Sequence, residues 1–413
     1  MQISELPTWL TNDYMQSQLR AFHKDTQLNV LKLWSNAATG KGENYVGIVT
    51  RIHVELEAAA TGGAVAQRTY LLKEACPKDA PQAGMFAEYD VYAREMDMYE
   101  HVLPRMTQLL REAGIGDKLH ADAVCIDREH GIMLLEDLTL LEYRNADRVK
   151  QLDLAHTHIT LQMLAKYHAS AMVLKQRHPE LLARRFQTSF FTRGPKGYAV
   201  LFTCLFRGLI RYVQTQPKLK ARYHAKLTRL LDNLMEYGAR AFDVTDDDFQ
   251  TLTHGDCWTT NIMFQYDGKG QPTTVVPIDF QFSTRTSPIL DLHYFFSTSL
   301  QDNVLARETE LVQYYFYALK RTLCQFNYKG KLPSLLEFQL QFERRKFLCV
   351  VIGLVFQPLM IYTGDESPDF WKLYQDTAEA ISFQDSVYES DRAQNIVAQL
   401  LPIFDAKGLL DEQ

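Results

Sequence analysis

The alternation in "YVGIVTRIHVELEA", the turn-forming "TGG" and the returning "QRTYLLKEA" predict an antiparallel β-hairpin over residues 45 to 74. A period of two is what places one set of β-branched side chains on one face. A second hairpin is expected from "AVCIDREHGIMLLEDL", turning at about 127 to 131. Between them, "FAEYDVYAREMDMYEHVLPRM" carries apolar residues at 86, 89, 92, 96, 99 and 103, the spacing of a helix with one buried stripe, ended with help from Pro104. From Asp153 the period changes. "LDLAHTHITLQMLAKYHASAMVLKQRHPE" and later segments read as helices to the C-terminus, interrupted only around 249 to 282. Strands first and helices afterwards predict an α+β fold in two lobes: strand-rich residues 1–136, then mainly helical residues 137–413, with "LEDLTLL" crossing between them.

Composition narrows the function classes. The chain has 413 residues, 46% of them hydrophobic and 23% charged, enough for two or three domains with a sizeable core. A net charge of -6 offers nucleic acid or an anionic membrane no overall attraction. The six cysteines are scattered without a CxxC pair, which argues against a zinc cluster or disulfide framework and fits reduced thiols in the cytoplasm. The N-terminus "MQISELPTWLTNDY" does not read as a secretory signal. "FLCVVIGLVFQPLMIYTG" is interrupted by Gln357 and Pro358 and is short for a membrane span, so a buried helix is expected.

The interruption among the helices carries the chemistry. In "LTHGDCWTTNIMF" the residues Gly255, Asp256 and Asn261 are common turn formers, and a polar turn is the plain alternative to a site. The run continues as a hairpin pattern, "NIMFQY", "DGKGQP" and "TTVVPIDFQ". If the turn centres near Gly270, Asn261 falls opposite Asp279, with Cβ atoms about 5 Å apart, in a register open to a slip of one residue. Two hard oxygen donors without His or Cys at ligand spacing suit Mg²⁺ completed by phosphates and water. Asp256, one loop upstream, is placed to take a proton from an incoming hydroxyl.

Upstream, Lys73 lies on a β-like run, where a phosphate-holding lysine belongs. Glu95 borders the apolar stripe of the next helix, one turn from Tyr92 and Tyr99, with Glu88 as its competitor for Lys73. A single Lys or Glu is more often a solvated surface charge. Their joint order with Asp256, Asn261 and Asp279 lowers that expectation.

Taken together, "GENYVG", "LLKEACP", "AREMDMYEHVLP", "LLEDL", "LAKYHA", "HGDCWTTNIMF", "IDFQ" and "SPILDL" resemble the ecdysteroid kinase-like (CHK kinase-like) proteins, relatives of choline kinases and aminoglycoside phosphotransferases. The resemblance spans roughly residues 42 to 292. It implies a protein kinase-like fold with ATP in the cleft between lobes, and phosphorylation of a small-molecule hydroxyl. By position it implies Asp256 as catalytic base, Asn261 and Asp279 as Mg²⁺ ligands, Lys73 as phosphate anchor and Glu95 as its partner. It further implies an adenine-binding hinge around Leu135 to Leu138, including Glu136, and a structural Asp291. The nucleotide loop, with Gly42, Glu43, Asn44, Tyr45 and Gly47, departs from the family in having Gly47 where a Ser is usual, and it lacks the GxGxxG spacing. Its phosphate contacts are therefore expected from backbone N–H groups.

Other signals have structural readings. His156 and His158 point to different sides of a helix, His168 lies on the apolar side, His254 braces its loop, and Cys257 is loop filler without a base in sequence reach. The aromatics of "FFTRGPKGYAVLFTCLF" and "DLHYFFSTSL" could line an acceptor pocket, although core filling is the commoner role. The function expected is an ATP- and Mg²⁺-dependent kinase for an alcohol of a steroid-like or other apolar metabolite or xenobiotic, the steroid coming from the resemblance alone. The alternative is a catalytically weak pseudokinase that binds nucleotide or an apolar ligand. A protein kinase is disfavoured, because no activation segment ending in APE follows "IDFQ".

Overall fold

The computed structural model describes residues 6–38, 48–58, 64–77, 80, 83–183, 185–194, 197–245, 248–364 and 370–413. Strands β1 (Asn29–Ala37), β2 (Ile48–Glu57), β3 (Val65–Glu74), β4 (Ala123–Asp127) and β5 (Ile132–Glu136) form one antiparallel sheet in the order β1-β2-β3-β5-β4. Both expected hairpins are present, joined through β3 and β5, where Lys73 pairs with Met133. The helix Asn12–His23 and strand β1 had no counterpart in the sequence reading. The helix begins at Thr11, whose side chain accepts from the Tyr14 N–H at 3.2 Å, and it buries Met15 and Leu19 with Ile52, Leu72 and Leu134. That closes one face of the sheet. Alternation along β3 turns Leu71 and Lys73 to the other face, toward the rest of the chain.

The single helix expected over 86 to 106 is broken and longer. A first turn, Ala83–Glu88, ends at Asp90, whose φ of 55° is left-handed. The chain restarts as Val91–Asp97, widens into a π-turn at Met98–Val102 and continues to Glu112. Pro104 does not end it, because it falls in the first turn of the segment after the π-turn, where its missing N–H is tolerated.

The remainder is helical. The helix Leu154–Arg177, with Asp153 accepting from the His156 N–H at 3.0 Å as its cap, packs along Glu308–Gln325 at the centre of one apolar core. A second core gathers Gly197–Thr215, Ala225–Phe242, Asp391–Ala406 and the uncharged run 347–360, which is helical and buried throughout except at half-buried Phe356. Among the described residues no helix is long and apolar enough to cross a membrane. No disulfide joins any of the six cysteines. Short strands interrupt the helices: β6 (Arg144–Asn145), β8 (Ile262–Tyr266) and β9 (Pro272–Pro277) in one sheet, β7 (Thr251–Thr253) with β10 (Thr284–Thr286) in another.

Where the two lobes meet, Asp137 is buried and accepts from Arg51 Nε at 2.7 Å, Thr69 Oγ1 at 2.7 Å and the Thr139 N–H at 3.1 Å. It so ties β2 and β3 to the segment that leaves the sheet. Burial raises its carboxyl, but hydrogen bonds from Thr139, Arg51 and Thr69 outweigh it and hold the group below the usual carboxylate range. Asp137→Ala is expected to cost about 3 kcal/mol by orphaning these donors. A carboxyl lowered by folding stabilises above the unfolded value of about 4 and loses that contribution as pH falls through the folded value. Urea titrations at neutral and acid pH check this: Asp137→Asn should narrow the gap between the two relative to wild type.

Candidate active site

Lys73 Nζ lies 2.6 Å from Glu95 Oε2 and 2.6 Å from Asp279 Oδ1, joining a strand, a helix and the hairpin of the second lobe. Glu88, the competing partner, is exposed. Burial alone lowers the ammonium's pKa, but the two carboxylates raise it further, so Lys73 stays charged. Burial pushes the Glu95 carboxyl up to about 7 against the pull of Lys73. The helix bearing Glu95 is fixed by its neighbour Arg94, 1% exposed, which donates to the carbonyls of Thr188 at 2.7 Å and Tyr89 at 2.8 Å.

The hairpin register differs by one residue from that expected. Ile262 faces Pro277, and the Ile278 N–H donates to the Asn261 carbonyl at 3.0 Å, so Asn261 is not opposite Asp279. Gly270 closes the turn in a left-handed conformation, bonded to the Asp267 carbonyl, instead of forming its centre. Asn261 sits in the 3₁₀ turn Thr259–Asn261 before β8, and Asp279 follows β9 with a φ of 68°. Both have left the ladder, and both side chains line the same cavity.

The loop between β7 and that turn is held from beneath. Asp291, 1% exposed in the helix Ile289–Ser299, accepts from the N–H groups of His254 at 2.7 Å and Gly255 at 2.9 Å. Its Oδ2 also meets His168 Nε2 at 2.8 Å, while His168 Nδ1 meets Tyr315 Oη at 2.7 Å. His254 Nε2 donates to the Ile278 carbonyl at 2.9 Å, which leaves Nδ1 bare to accept from the Asp256 N–H at 3.3 Å. Burial keeps His254 below its ordinary pKa and neutral.

Asp256 is therefore presented by backbone that is fixed on both sides. Its Oδ2 accepts from Asn261 Nδ2 at 2.9 Å and its Oδ1 from Tyr294 Oη at 2.6 Å. Burial, then the nearby Asp279 carboxylate, pushes the Asp256 carboxyl well above the usual range. Since Asn261 turns its NH₂ to Asp256, its amide oxygen is the end left for the cavity.

Two cavities flank these residues. One, of about 420 Å³, is lined by Lys73, Glu95, Leu138, Thr260, Asn261 and Asp279, with Leu135, Glu136 and Asp137 at the hinge. The Glu136 carboxylate faces Lys118 at 2.8 Å, and Leu138 is buried in the turn Leu138–Leu141. The other, of about 70 Å³, is walled by Phe190, Leu201, Trp258, Phe282, Phe356 and Met360, with Tyr198, Tyr294 and Asp256. Asn261 lines the first and Asp256, its hydrogen-bond partner, the second. Gly42, Glu43, Asn44, Tyr45 and Gly47 lie outside the described residues.

Sequence reasoning assigned no role to Arg94, to the Asp137 carboxylate or to the Tyr294 hydroxyl, although Tyr294 lies in "DLHYFFSTSL", one of the stretches named as a possible pocket wall. The last was within reach: Tyr294 lies one turn after Asp291, so a helix that aims Asp291 at the loop aims Tyr294 there too. Gly255 is the position least able to change. Its φ is 85°, and a Cβ would lie 2.1 Å from the Phe282 carbonyl oxygen. Gly255→Ala is expected to lower stability by roughly 3 kcal/mol or more, checked by urea denaturation with native-state spectra.

A profile of the Ecdysteroid kinase-like family matches residues 41–328. No curated protein sequence matches the chain. Among solved structures it is similar to an ethanolamine kinase of Plasmodium vivax, at 13% identity over 91% of this chain and 83% of that one, with a TM-score of 0.45. It is also similar to a choline kinase from Cryptosporidium parvum Iowa II, at 10% identity over 96% and 100%, with a TM-score of 0.46. A macrolide 2'-phosphotransferase from Brachybacterium faecium gives 12% identity over 91% and 98%, with a TM-score of 0.40. With a strand-rich lobe, a helical lobe and a family match over well more than half its length, the chain belongs to the ecdysteroid kinase-like family.

Proposed function

We propose that the protein is an ATP-dependent kinase that phosphorylates a hydroxyl of a neutral, largely apolar small molecule such as a steroid or xenobiotic, with the lobe boundary at residues 136 and 137. The observation that carries this is the position of Asp256. Its carboxylate walls the apolar cavity while its bond to Asn261 joins it to the cavity of Lys73 and Asp279. A hydroxyl in the smaller cavity and a triphosphate tail in the larger would meet at that bond.

The roles follow from the chemistry of each side chain. Asp256, with its raised pKa, accepts the proton of the hydroxyl as that oxygen bonds to the γ-phosphorus of ATP and the bond from this phosphorus to the bridging oxygen breaks, releasing ADP. Lys73, held charged between two carboxylates, anchors the phosphates. The donor set fits a divalent cation: the Asp279 carboxylate and the Asn261 amide oxygen are hard ligands on one cavity wall. When bound, Mg²⁺ would offset charge on the phosphates, held by those two residues. Leu135 to Leu138 would receive the adenine. No carboxylate other than Asp256 and no Lys or Arg lines the smaller cavity among the described residues, which favours an uncharged acceptor. Its aromatic walls also suit a quaternary ammonium, so choline belongs in any acceptor panel. Against a carrier without transfer speaks the presence of Lys73, Asp256, Asn261 and Asp279 together.

The test is phosphoryl transfer from labelled ATP to a panel of steroid, amine and glycoside alcohols, wild type against Asp256→Asn. Transfer to an apolar alcohol is expected, with kcat in the variant down by roughly 10²- to 10⁴-fold. ATP binding without transfer across the panel, or an equally active variant, sinks the proposal. Tyr294→Phe adds a sign. Its hydroxyl stabilises the Asp256 carboxylate, so removing it raises that pKa further, and the acid limb of the kcat/KM profile moves to higher pH. An unmoved limb shows that the Tyr294 hydroxyl has no hold on the base.

A further inference from the structure

We propose that Tyr198 determines acceptor specificity: its hydroxyl hydrogen-bonds a second oxygen of the acceptor, close to the oxygen that receives the phosphoryl group. This rests on the reading that the smaller cavity takes the acceptor. Tyr198 belongs to the helix Gly197–Thr215 and is 1% exposed. Its ring is held edge-on by Tyr89 at 4.5 Å, Phe190 at 5.3 Å and Phe282 at 5.7 Å. A phenylalanine would fill the same space and keep the same edge-to-face contacts.

The hydroxyl sets tyrosine apart there. It has no hydrogen-bond partner among the described residues, although it is buried. A hydroxyl in that condition has given up its bonds to water and gained none in return. The second tyrosine of the same wall differs, because Tyr294 gives its hydroxyl to Asp256. Burial, and next the Asp256 carboxylate, raises the Tyr198 pKa well above its ordinary value, so the phenol stays protonated and near that carboxylate. The residues that carry the unpartnered donor and the proton-accepting group thus line one cavity of about 70 Å³. Such a space takes one end of an acceptor, and an oxygen reaching Tyr198 must lie near the oxygen reaching Asp256. Apart from the Trp258 indole, Asp256, Tyr198 and Tyr294, the lining side chains are apolar and unable to hold that second oxygen. The acceptor class is therefore an apolar alcohol with an adjacent hydroxyl or carbonyl oxygen, a diol or a hydroxyketone.

The experiment uses the full chain, wild type and Tyr198→Phe, with matched acceptors on one apolar body, the diol and the mono-alcohol. Transfer from ATP and calorimetric binding are both measured. Wild type is expected to prefer the diol by roughly 10- to 100-fold, the worth of satisfying one buried hydroxyl, and Tyr198→Phe to reduce that ratio to within about threefold. Because the empty protein makes no use of the hydroxyl, the variant should melt at or above the wild-type temperature. A preference that survives in the variant, a wild type without preference, or a variant that melts several degrees lower overturns the proposal. Preferential diol binding without transfer, lost in Tyr198→Phe, supports Tyr198 and sinks the kinase reading. Neither binding nor transfer of any acceptor overturns both.

Discussion

The ammonium of Lys73, shared between Glu95 and Asp279, is the contact around which the two lobes are assembled. A charge this far from water persists only when paired, and each of its partners arrives from a different element. The strand supplies the lysine by simple alternation, since Leu72 faces the helix-covered core and Lys73 the opposite side. The glutamate depends on a helix pinned by Arg94, and the aspartate on a left-handed residue past the end of a hairpin. Three local rules meet at one nitrogen.

The second organising contact is the chain from Tyr315 through His168 to Asp291, and from there to the amides of residues 254 and 255. It is buried, each member is hydrogen-bonded, and it ends on the backbone that presents Asp256. Asp291 stays ionised because burial, which alone would raise its carboxyl, is outweighed by His168 and by the loop amides. The loop beneath Asp256 is thus held by the protein's own bonds, and the Asp256 side chain is turned to its two donors, Asn261 and Tyr294.

Much of this was legible from spacing. The hairpins and the helix that carry Lys73, Glu95, Asn261 and Asp279 follow from period-two and helical patterns, whereas Glu95 in place of Glu88, on the same side, came from the family resemblance. The register was off by one because Gly270 ends its turn instead of centring it, a distinction of backbone angle that letters do not carry. The unbroken helix failed at Asp90, where a non-glycine residue adopts a positive φ under tertiary constraint. The helix Asn12–His23 went unread, its apolar residues being sparse, and so did the roles of Arg94 and Tyr294, whose partners lie far away in sequence.

Arg94 has one more consequence. Its guanidinium is held by main-chain oxygens and one threonine hydroxyl, in an interior that pairs it with no carboxylate among the described residues. Swinging its helix outward, a means by which kinases are silenced, would strip a cation of those oxygens before it reached water. The helix is therefore anchored in the position that keeps Glu95 on Lys73.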